Sequence, residues 1–343
     1  MSELPFVADP AIVLDLIESY RRSKTMFAAV SLGIFDALEK EPATAESLAE
    51  TLGLNADALG RLLDACVCLK LLEKSADHYA NARVAQTYLT SASPRRLTGY
   101  IGYSNDVLWK MWANLEGAVR EGTHRWKETF GWDAPIFANF FRTEESKREF
   151  LMGMHGYGLI SSPEVVAAFD LGSRKRFVDL GGATGHLAIA ACERYPNLHA
   201  TVFDLADVVP LTREIVSKSP AVSRIEILAG DFFVDPLPEG DVFALGRILH
   251  DWTEQKILVL LKRIYDRLPS GGSVLVAEKL IDSDRSGPRW ALMQHLGMLI
   301  YTEGRERTAQ EYELLLKSIG FAKVEHQSLP GGVPLDAVMA TKA

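Results

Sequence analysis

The sequence predicts a two-part α/β protein, in which a mostly helical N-terminal part precedes a doubly wound, Rossmann-like sheet. From residue 176 onward short apolar runs alternate with helical ones, which is typical of a parallel sheet covered by helices on both faces. The chain ends on two strand-like runs joined by the segment 330–334, whose sequence Pro-Gly-Gly-Val-Pro predicts an antiparallel hairpin. Before residue 90, two short helical patterns and a small hairpin follow a long helical stretch.

The elements of the sheet part follow from the period of the apolar residues. Five parallel strands are predicted at residues 177–180, 200–203, 225–228, 242–245 and 274–277. Three of the helices between them are predicted at residues 187–195, 208–218 and 255–268. The closing hairpin is predicted from strands at residues 322–329 and 335–340.

The N-terminal part resembles a winged helix. Residues 10–40 have apolar residues at near-helical spacing, and Thr44 and Asn55 are predicted to cap helices at 45–51 and 56–69. The residues around 71–79 predict two short strands. The second short helix carries few cations, and Asp57 and Asp64 oppose them, so packing or dimerisation is favoured over reading DNA.

Composition narrows the class further. The 343 residues are 48% hydrophobic and carry a net charge of −8. A negative chain does not attract the phosphate groups of nucleic acids, so nucleic acid is a poor default partner. Cys66, Cys68 and Cys192 cannot form a disulfide framework and are predicted to be small buried residues in a reducing compartment. Acidic residues interrupt any early apolar run, and no apolar stretch reaches roughly 18 residues. We therefore expect a cytoplasmic protein without a membrane partner.

A glycine-rich turn follows the first strand of the sheet. Asp179, Gly181, Gly182 and Gly185 lie in or next to this turn, which leads from a strand into a helix whose free N–H groups can meet a ligand. A dinucleotide fingerprint starting at Gly181 would need a small sixth residue, where this chain has a histidine, His186. The spacing fits the first motif of methyltransferases better, with Asp179 near the amine of the methionine moiety. Ala183 stands where that motif often has glycine, a departure expected to cost little.

Two further acids close strands of the sheet. Asp204 ends the second strand, where a carboxylate can accept both ribose hydroxyls. Asp231 and Phe232 follow the third strand and suit an adenine, whose amine donates and whose face stacks. One such acid would be an ordinary loop residue, but three in register favour a cofactor site.

The catalytic candidate is His250, which lies just beyond the fourth strand, where ligands bind in open α/β sheets. Glu278 closes the fifth strand at the same edge, and Glu306 follows in a later loop. A carboxylate beside a histidine selects its tautomer and raises its basicity. The three residues therefore predict a general base.

These motifs resemble the caffeate-type and acetylserotonin (hydroxyindole)-type small-molecule O-methyltransferases, which depend on S-adenosylmethionine. The resemblance rests on the runs Ile-Leu-His-Asp-Trp at 248–252, Gly-Asp-Phe-Phe at 230–233 and Gly-Arg-Glu-Arg-Thr at 304–308. It implies the fold of class I methyltransferases, an N-terminal dimerisation domain and a homodimer. It also implies metal-free chemistry, with His250 as the base flanked by Glu278 and Glu306.

The resemblance further implies ligand contacts and a division of the chain. The cofactor contacts map to Gly181, Asp204, Asp231 and Phe232, with Arg247 added, and the substrate pocket maps near Met154, Met298 and Thr302. Residues 1–100 would form the dimerisation domain, the aromatic-rich residues 101–162 a helical connector contributing to the substrate pocket, and residues 163–343 the catalytic domain.

The predicted reaction is direct methyl transfer to a phenolic or enolic hydroxyl of a small, aromatic molecule, since a neutral imidazole can deprotonate a phenol. An N- or C-methyltransferase on the same fold is the nearest alternative, although an amine acceptor needs the base less. A winged-helix transcriptional regulator with a cofactor-sensing domain is the alternative of another class. A nicotinamide dehydrogenase is disfavoured by His186.

Overall fold

The computed structural model describes residues 9–131, 137–138, 141, 143–329 and 333–343. The chain divides into two compact units, Met1–Asp106 and Val107–Ala343. Residues 330–332 of the predicted hairpin turn lie outside the described residues, as do Trp132 and Phe140 of the aromatic-rich region.

The first unit combines six helices and a small sheet among its described residues. The helices are α1 (Ala11–Ser31), α2 (Ile34–Ala37), α3 (Ala45–Leu52), α4 (Ala56–Cys68), α5 (Arg83–Tyr88) and α6 (Thr98–Tyr103), and a π-helical segment, Ser104–Leu108, follows. The strands are β1 (Ala43–Thr44), β2 (Leu72–Ser75) and β3 (His78–Asn81), which pair antiparallel in the order β1-β3-β2. Two helices followed by a hairpin are the arrangement that the sequence predicts.

Local signals explain the bounds of these helices. Thr44 and Asn55 accept backbone N–H groups as N-caps of α3 and α4, as predicted. The stretch predicted as helical at 10–40 is broken at Gly33, whose φ of 72° is left-handed. The prediction for the cysteines is wrong at one position: all three are free, but Cys68 is exposed, because it lies away from the face on which α4 buries Leu59, Leu63 and Cys66.

The second unit contains the large sheet. Its strands are β4 (Arg176–Leu180), β5 (His199–Asp204), β6 (Ile225–Ala229), β7 (Val242–Gly246), β8 (Ser273–Glu278), β9 (Lys323–Gln327) and β10 (Asp336–Thr341). They lie in the order β6-β5-β4-β7-β8-β10-β9, parallel from β6 to β8. Strand β10 runs antiparallel to both β8 and β9, which confirms the closing hairpin. Every predicted strand is present, with bounds within two residues.

The second unit is rich in helices, and some of them cover both faces of the sheet while others pack against neighbouring helices. They are α7 (Trp109–Trp112), α8 (Leu115–Glu121), α9 (Trp126–Phe130), α10 (Glu144–Ala167), α11 (His186–Arg194), α12 (Val209–Val216), α13 (Glu254–Arg267), α14 (Arg289–Tyr301) and α15 (Ala309–Ile319). Two short 3₁₀ turns, Val222–Arg224 and Leu249–Asp251, lie between them. Along β4, Val178 and Leu180 join one apolar core, whereas Phe177 joins a second. Alternate residues of β4 therefore bury opposite faces of the sheet, as a doubly wound sheet requires.

Among the residues that the structure describes, none of the helices combines the length and apolar character needed to cross a bilayer.

Candidate active site

The sheet gathers the predicted site residues at one edge. Strands β4 to β8 are parallel, so their carboxyl ends share an edge. Asp204 and Glu278 are the last residues of β5 and β8, and the glycine turn, Asp231 and His250 follow β4, β6 and β7. This is the edge at which open α/β sheets bind ligands.

The glycine turn leaves room for little beyond backbone. Gly181 has a φ of 64° and Gly185 one of 77°, both in the left-handed region. A Cβ atom at Gly181 would lie 2.5 Å from Cδ1 of Ile248 and 3.3 Å from Cε1 of Phe232. Glycine at this position thus keeps the turn, Phe232 and the segment before His250 in close contact.

Ala183 also adopts a left-handed conformation, with a φ of 49°. For a residue with a Cβ this costs roughly 1–2 kcal/mol, so the departure from glycine is more expensive than predicted. Two hydrogen bonds hold the conformation: the Ala183 N–H donates to Oδ2 of Asp204 at 2.7 Å, and its carbonyl accepts from Oγ1 of Thr212 at 2.5 Å. Asp204 therefore shapes the turn as well as ending β5.

The three strand-end acids have different surroundings. Asp179 is buried beneath the turn, where Oδ2 accepts the Ala188 N–H at 3.2 Å, and burial raises the pKa of Asp179 to about 7. Burial raises the pKa of Asp204 to about 6, although backbone N–H groups of Ala183 and Leu205 oppose the rise. Asp231 Oδ1 accepts the Phe233 N–H at 2.8 Å. All three are thus held by backbone donors.

His250 lies in the 3₁₀ turn Leu249–Asp251, with only 6% of its surface exposed. Its Nδ1 is 2.7 Å from Oε1 of Glu306, and its Nε2 is 3.8 Å from Oδ1 of Asp251. Burial by itself would lower the pKa of His250, but the carboxylates of Glu306, Asp251 and Glu278 outweigh it and raise the pKa to about 10. Because Nδ1 is hydrogen-bonded to Glu306, the other ring nitrogen, Nε2, is the one that can take a proton from a ligand.

Glu278 meets the histidine differently from Glu306. Its Oε1 accepts the N–H groups of Leu249 at 2.6 Å and of His250 at 3.1 Å, so it holds the backbone of the turn and not the ring. Donor atoms of His250, Glu278 and Glu306 all lie within 4.8 Å of one another, a spacing that metal ligands also show. Nδ1 of His250 is hydrogen-bonded to Oε1 of Glu306, and Oε1 of Glu278 accepts backbone N–H groups, whereas Oε2 of Glu306 is buried without a hydrogen-bond partner among the described residues.

The other predicted residues fall into two groups. The guanidinium of Arg247, a residue with a φ of 58°, lies 4.5 Å from the centre of the Tyr157 ring and 3.8 Å from the sulfur of Met154. Met298 and Thr302 lie at the end of α14, both buried, and Oγ1 of Thr302 donates to the Met298 carbonyl at 2.9 Å. The loop after them lies close to the turn of His250, since a Cβ at Gly304 would be 2.2 Å from the His250 carbonyl oxygen.

Sequence reasoning missed contacts between α10 and the glycine turn. Nδ1 of His155 is 2.9 Å from Oγ1 of Thr184, and Nδ1 of His186 is 2.8 Å from Oγ of Ser162. The His186 ring packs where a Cβ at Gly158 would lie 2.2 Å from its Cγ, and burial lowers the pKa of His186 to about 3. Asp251 was missed as well, although its place beside His250 in the sequence was a usable signal.

The fold and this edge together define a class I methyltransferase: a seven-stranded sheet closed by an antiparallel hairpin, with a glycine turn and strand-end acids beside a buried histidine. A family model for the O-methyltransferase domain matches residues 112–322, and one for the O-methyltransferase dimerisation domain matches residues 14–91. The chain therefore belongs to the S-adenosylmethionine-dependent small-molecule O-methyltransferases. This result supports the enzyme over the transcriptional regulator.

Individual relatives agree with this membership. The chain is 37% identical to bovine acetylserotonin O-methyltransferase over 97% of both proteins. It is 38% identical to the human "Probable bifunctional dTTP/UTP pyrophosphatase/methyltransferase protein" over 97% of this chain, but it spans only 54% of that longer protein. The crystal structure of human N-acetylserotonin methyltransferase in complex with SAM matches with a TM-score of 0.93 and 35% identity, covering 100% of both chains.

Proposed function

We propose that this enzyme methylates a phenolic or enolic hydroxyl of a small aromatic molecule, with His250 as the general base. The observation that carries the proposal is the 2.7 Å contact between Nδ1 of His250 and Oε1 of Glu306 at the ligand-binding edge of the sheet. A hydroxyl is a weak nucleophile until its proton is removed, so an O-acceptor needs such a base, whereas the nitrogen of a neutral amine can attack before it loses a proton. The curated relatives named for acetylserotonin make hydroxyindoles the first acceptors to test.

The residues at the sheet edge fit S-adenosylmethionine. The turn at Gly181 and Gly182 has no space for side chains, because a Cβ at Gly182 would lie 2.6 Å from Cγ of Asp179, so backbone itself faces the ligand. Asp204 would take the ribose hydroxyls and Asp231 the adenine amine, with Phe232 against the ring. Gly185 is the N-cap of α11, and Asp179 and Arg247 would flank the methionine end. When bound, the sulfonium supplies an electrophilic methyl group.

The protein then has to orient the acceptor and take its proton. Met154, Met298 and Thr302 would line the acceptor pocket. Glu306 holds the imidazole with Nε2 free of that bond, and Nε2 accepts the hydroxyl proton as the oxygen attacks. A base with a pKa of about 10 matches a phenol, whose pKa is also about 10, so the proton transfer is close to isoenergetic.

The proposal is tested by cofactor binding and by an acceptor screen. We expect calorimetry to show S-adenosylhomocysteine binding at micromolar scale and no NAD binding. Asp204→Ala should weaken the binding of S-adenosylhomocysteine by at least about tenfold, since the substitution removes a charged hydrogen-bond acceptor and a contact that shapes the turn. Asp207→Ala, an exposed acid three residues away, is the matched control and should bind like the wild type.

The acceptor screen uses labelled S-adenosylmethionine with phenols, hydroxyindoles and amines. Label transferred to hydroxyls, and not to matched amines, is the expected result. Label that appears only on amines or carbons would contradict the proposal, as would NAD binding without any response to S-adenosylhomocysteine.

We also propose that the enzyme acts as a cytoplasmic homodimer. The first unit matches a dimerisation domain, and helix α1 exposes apolar side chains along its first turns, among them Ile12 at 75%, Leu16 at 66% and Ile17 at 60%. A cluster of exposed large apolar residues is typical of an interface.

The dimer has its own prediction. Light scattering of the full chain should give twice 37.9 kDa, and Leu16→Glu with Ile17→Glu should shift the protein towards monomer because two charges would enter the apolar contact. Leu314→Glu places the same charge on an apolar residue of α15 that is 63% exposed, and it should leave the dimer intact. A wild-type monomer at micromolar concentration would rule out the dimer.

A further inference from the structure

A buried tyrosine connects helix α15 to the turn that carries the base. Tyr312 is fully buried, and its hydroxyl donates a short hydrogen bond to Oε2 of Glu278. The other oxygen of the same carboxylate, Oε1, accepts the N–H groups of Leu249 and His250. One carboxylate thus joins a side chain of α15 to the backbone on which the base is mounted.

We propose that Tyr312 is a positioning residue for the methyl-transfer reaction, acting on His250 through Glu278. This inference rests on the proposed function, in which His250 is the general base. The hydroxyl of Tyr312 fixes the Glu278 side chain, and Glu278 in turn fixes the backbone N–H groups of the turn. The ring of His250 is thereby held where its Nδ1 meets Glu306.

The charge of Glu278 matters as much as its position. Burial raises the pKa of Glu278, while the hydroxyl of Tyr312 counteracts this by bonding the carboxylate. Without the hydroxyl, Oε2 would be buried with one donor fewer, and the protonated acid would be favoured. Loss of that negative charge lowers the pKa of His250, because Glu278 is one of the groups that raise it.

The other charged groups around the base stay in place when Tyr312 changes. Asp251 and Glu306 face the imidazole and also raise its pKa. The positive charge of Arg247 opposes the rise that burial causes in the pKa of Asp251. The guanidinium of Arg307 lies 5.9 Å from the centre of the Tyr312 ring. The Tyr312 phenol stays protonated, since burial raises its pKa well above the ordinary value, so it remains a donor throughout the working pH range. A change in the pH profile of Tyr312→Phe therefore reports on Glu278.

The experiment is a double-mutant cycle of Tyr312→Phe and Glu278→Gln, read out by pH profiles of kcat/KM, by kcat, by S-adenosylhomocysteine affinity and by Tm. Tyr312→Phe should lower kcat about tenfold, the scale expected when a reacting group loses its support. The acid limb of its profile should move to lower pH, while cofactor affinity stays within about twofold of the wild type. In the Glu278→Gln background, adding Tyr312→Phe should change kcat by less than about twofold.

Two control variants accompany the double-mutant cycle. Tyr265→Phe removes a phenol hydroxyl from α13, where the ring packs 5.1 Å from that of Phe321, and it should leave kcat and the profile unchanged. Glu278→Gln by itself keeps the side-chain shape and removes the charge. It must therefore move the acid limb of the kcat/KM profile to lower pH, even if Tyr312→Phe proves too unstable to assay.

Two results would overturn the inference: a Tyr312→Phe enzyme with wild-type kcat and profile, or losses that multiply independently in the double mutant. Failure of the proposed function looks different. It would appear as a fully active His250→Ala enzyme, whereas an impaired His250→Ala enzyme beside a normal Tyr312→Phe enzyme removes only the role of Tyr312.

Discussion

Replacing His250 by alanine should lower kcat about 10²–10⁴-fold, the contribution expected of a positioned general base. Cofactor affinity should stay close to that of the wild type, because the glycine turn and the strand-end acids lie on other strands. Raising the pH towards the pKa of a phenol, about 10, should restore part of the rate, since a phenolate formed in solution no longer needs the base. Steady-state kinetics with the best acceptor of the screen, alongside calorimetry, measures both quantities.

In His250→Ala, a loss of catalytic rate has to be distinguished from a loss of folded protein. The change leaves Glu306 buried without its partner, and we expect a lower Tm for that reason. Rates are therefore normalised to folded protein, and His326→Ala, an exposed histidine on β9, serves as the matched control with wild-type kcat. Activity should also survive EDTA, since the base acts through its own nitrogen. A folded His250→Ala enzyme with near-normal kcat would remove the mechanism.

Glu306→Gln should change the pH dependence more visibly than any other substitution at this site. In the wild type the pKa of His250 is raised to about 10, so the neutral imidazole is scarce at pH 7 and grows about tenfold for each unit of pH. The kcat/KM for a phenolic acceptor should therefore rise through the neutral range and level off near that pKa. Without the Glu306 charge only Asp251 and Glu278 oppose the effect of burial, so the pKa of His250 should fall and the rise should occur at least about one unit lower.

The same variant should also lose kcat on its plateau, by about tenfold, because a weaker base takes the proton less readily. The loss should be smaller than for His250→Ala, since the glutamine oxygen can still accept the Nδ1–H. Glu303→Gln, which removes an acid three residues away that pairs with Lys256 at 2.6 Å, is the control and should keep the wild-type profile. An unchanged acid limb in Glu306→Gln would show that this carboxylate does not tune the base.

The architecture of the second unit could be predicted because its strands are short and apolar and alternate with helices of a different period. Strand bounds came within two residues on that signal alone. The common edge of Asp204, Asp231 and His250 also followed from sequence, because parallel strands end on the same side. Helix ends were harder where one glycine decides them, as at Gly33, since periodicity continues across a residue that turns the chain.

From the sequence, residues far apart along the chain could be predicted to lie near one another, but not to form particular hydrogen bonds. That Glu278 and Glu306 lie near His250 followed from sheet order and family resemblance, but which carboxylate bonds the ring did not. The contacts of His155 with Thr184 and of Ser162 with His186 join a helix to a turn more than 20 residues along the chain. No local pattern encodes such contacts, because they depend on how α10 packs against α11.

By itself, then, the sequence determined the positions of the strands, the glycine turn, the acids at the strand ends and the histidine beyond β7, all of them local patterns read along the chain. The tertiary structure alone decided that Glu306 bonds the ring while Glu278 holds its backbone, and that Tyr312 completes the arrangement. The physical reason is that hydrogen bonding and burial act over a few ångströms in space. The pKa of His250 is therefore set by carboxylates up to 56 residues away in sequence, brought together only when the sheet and its helices close.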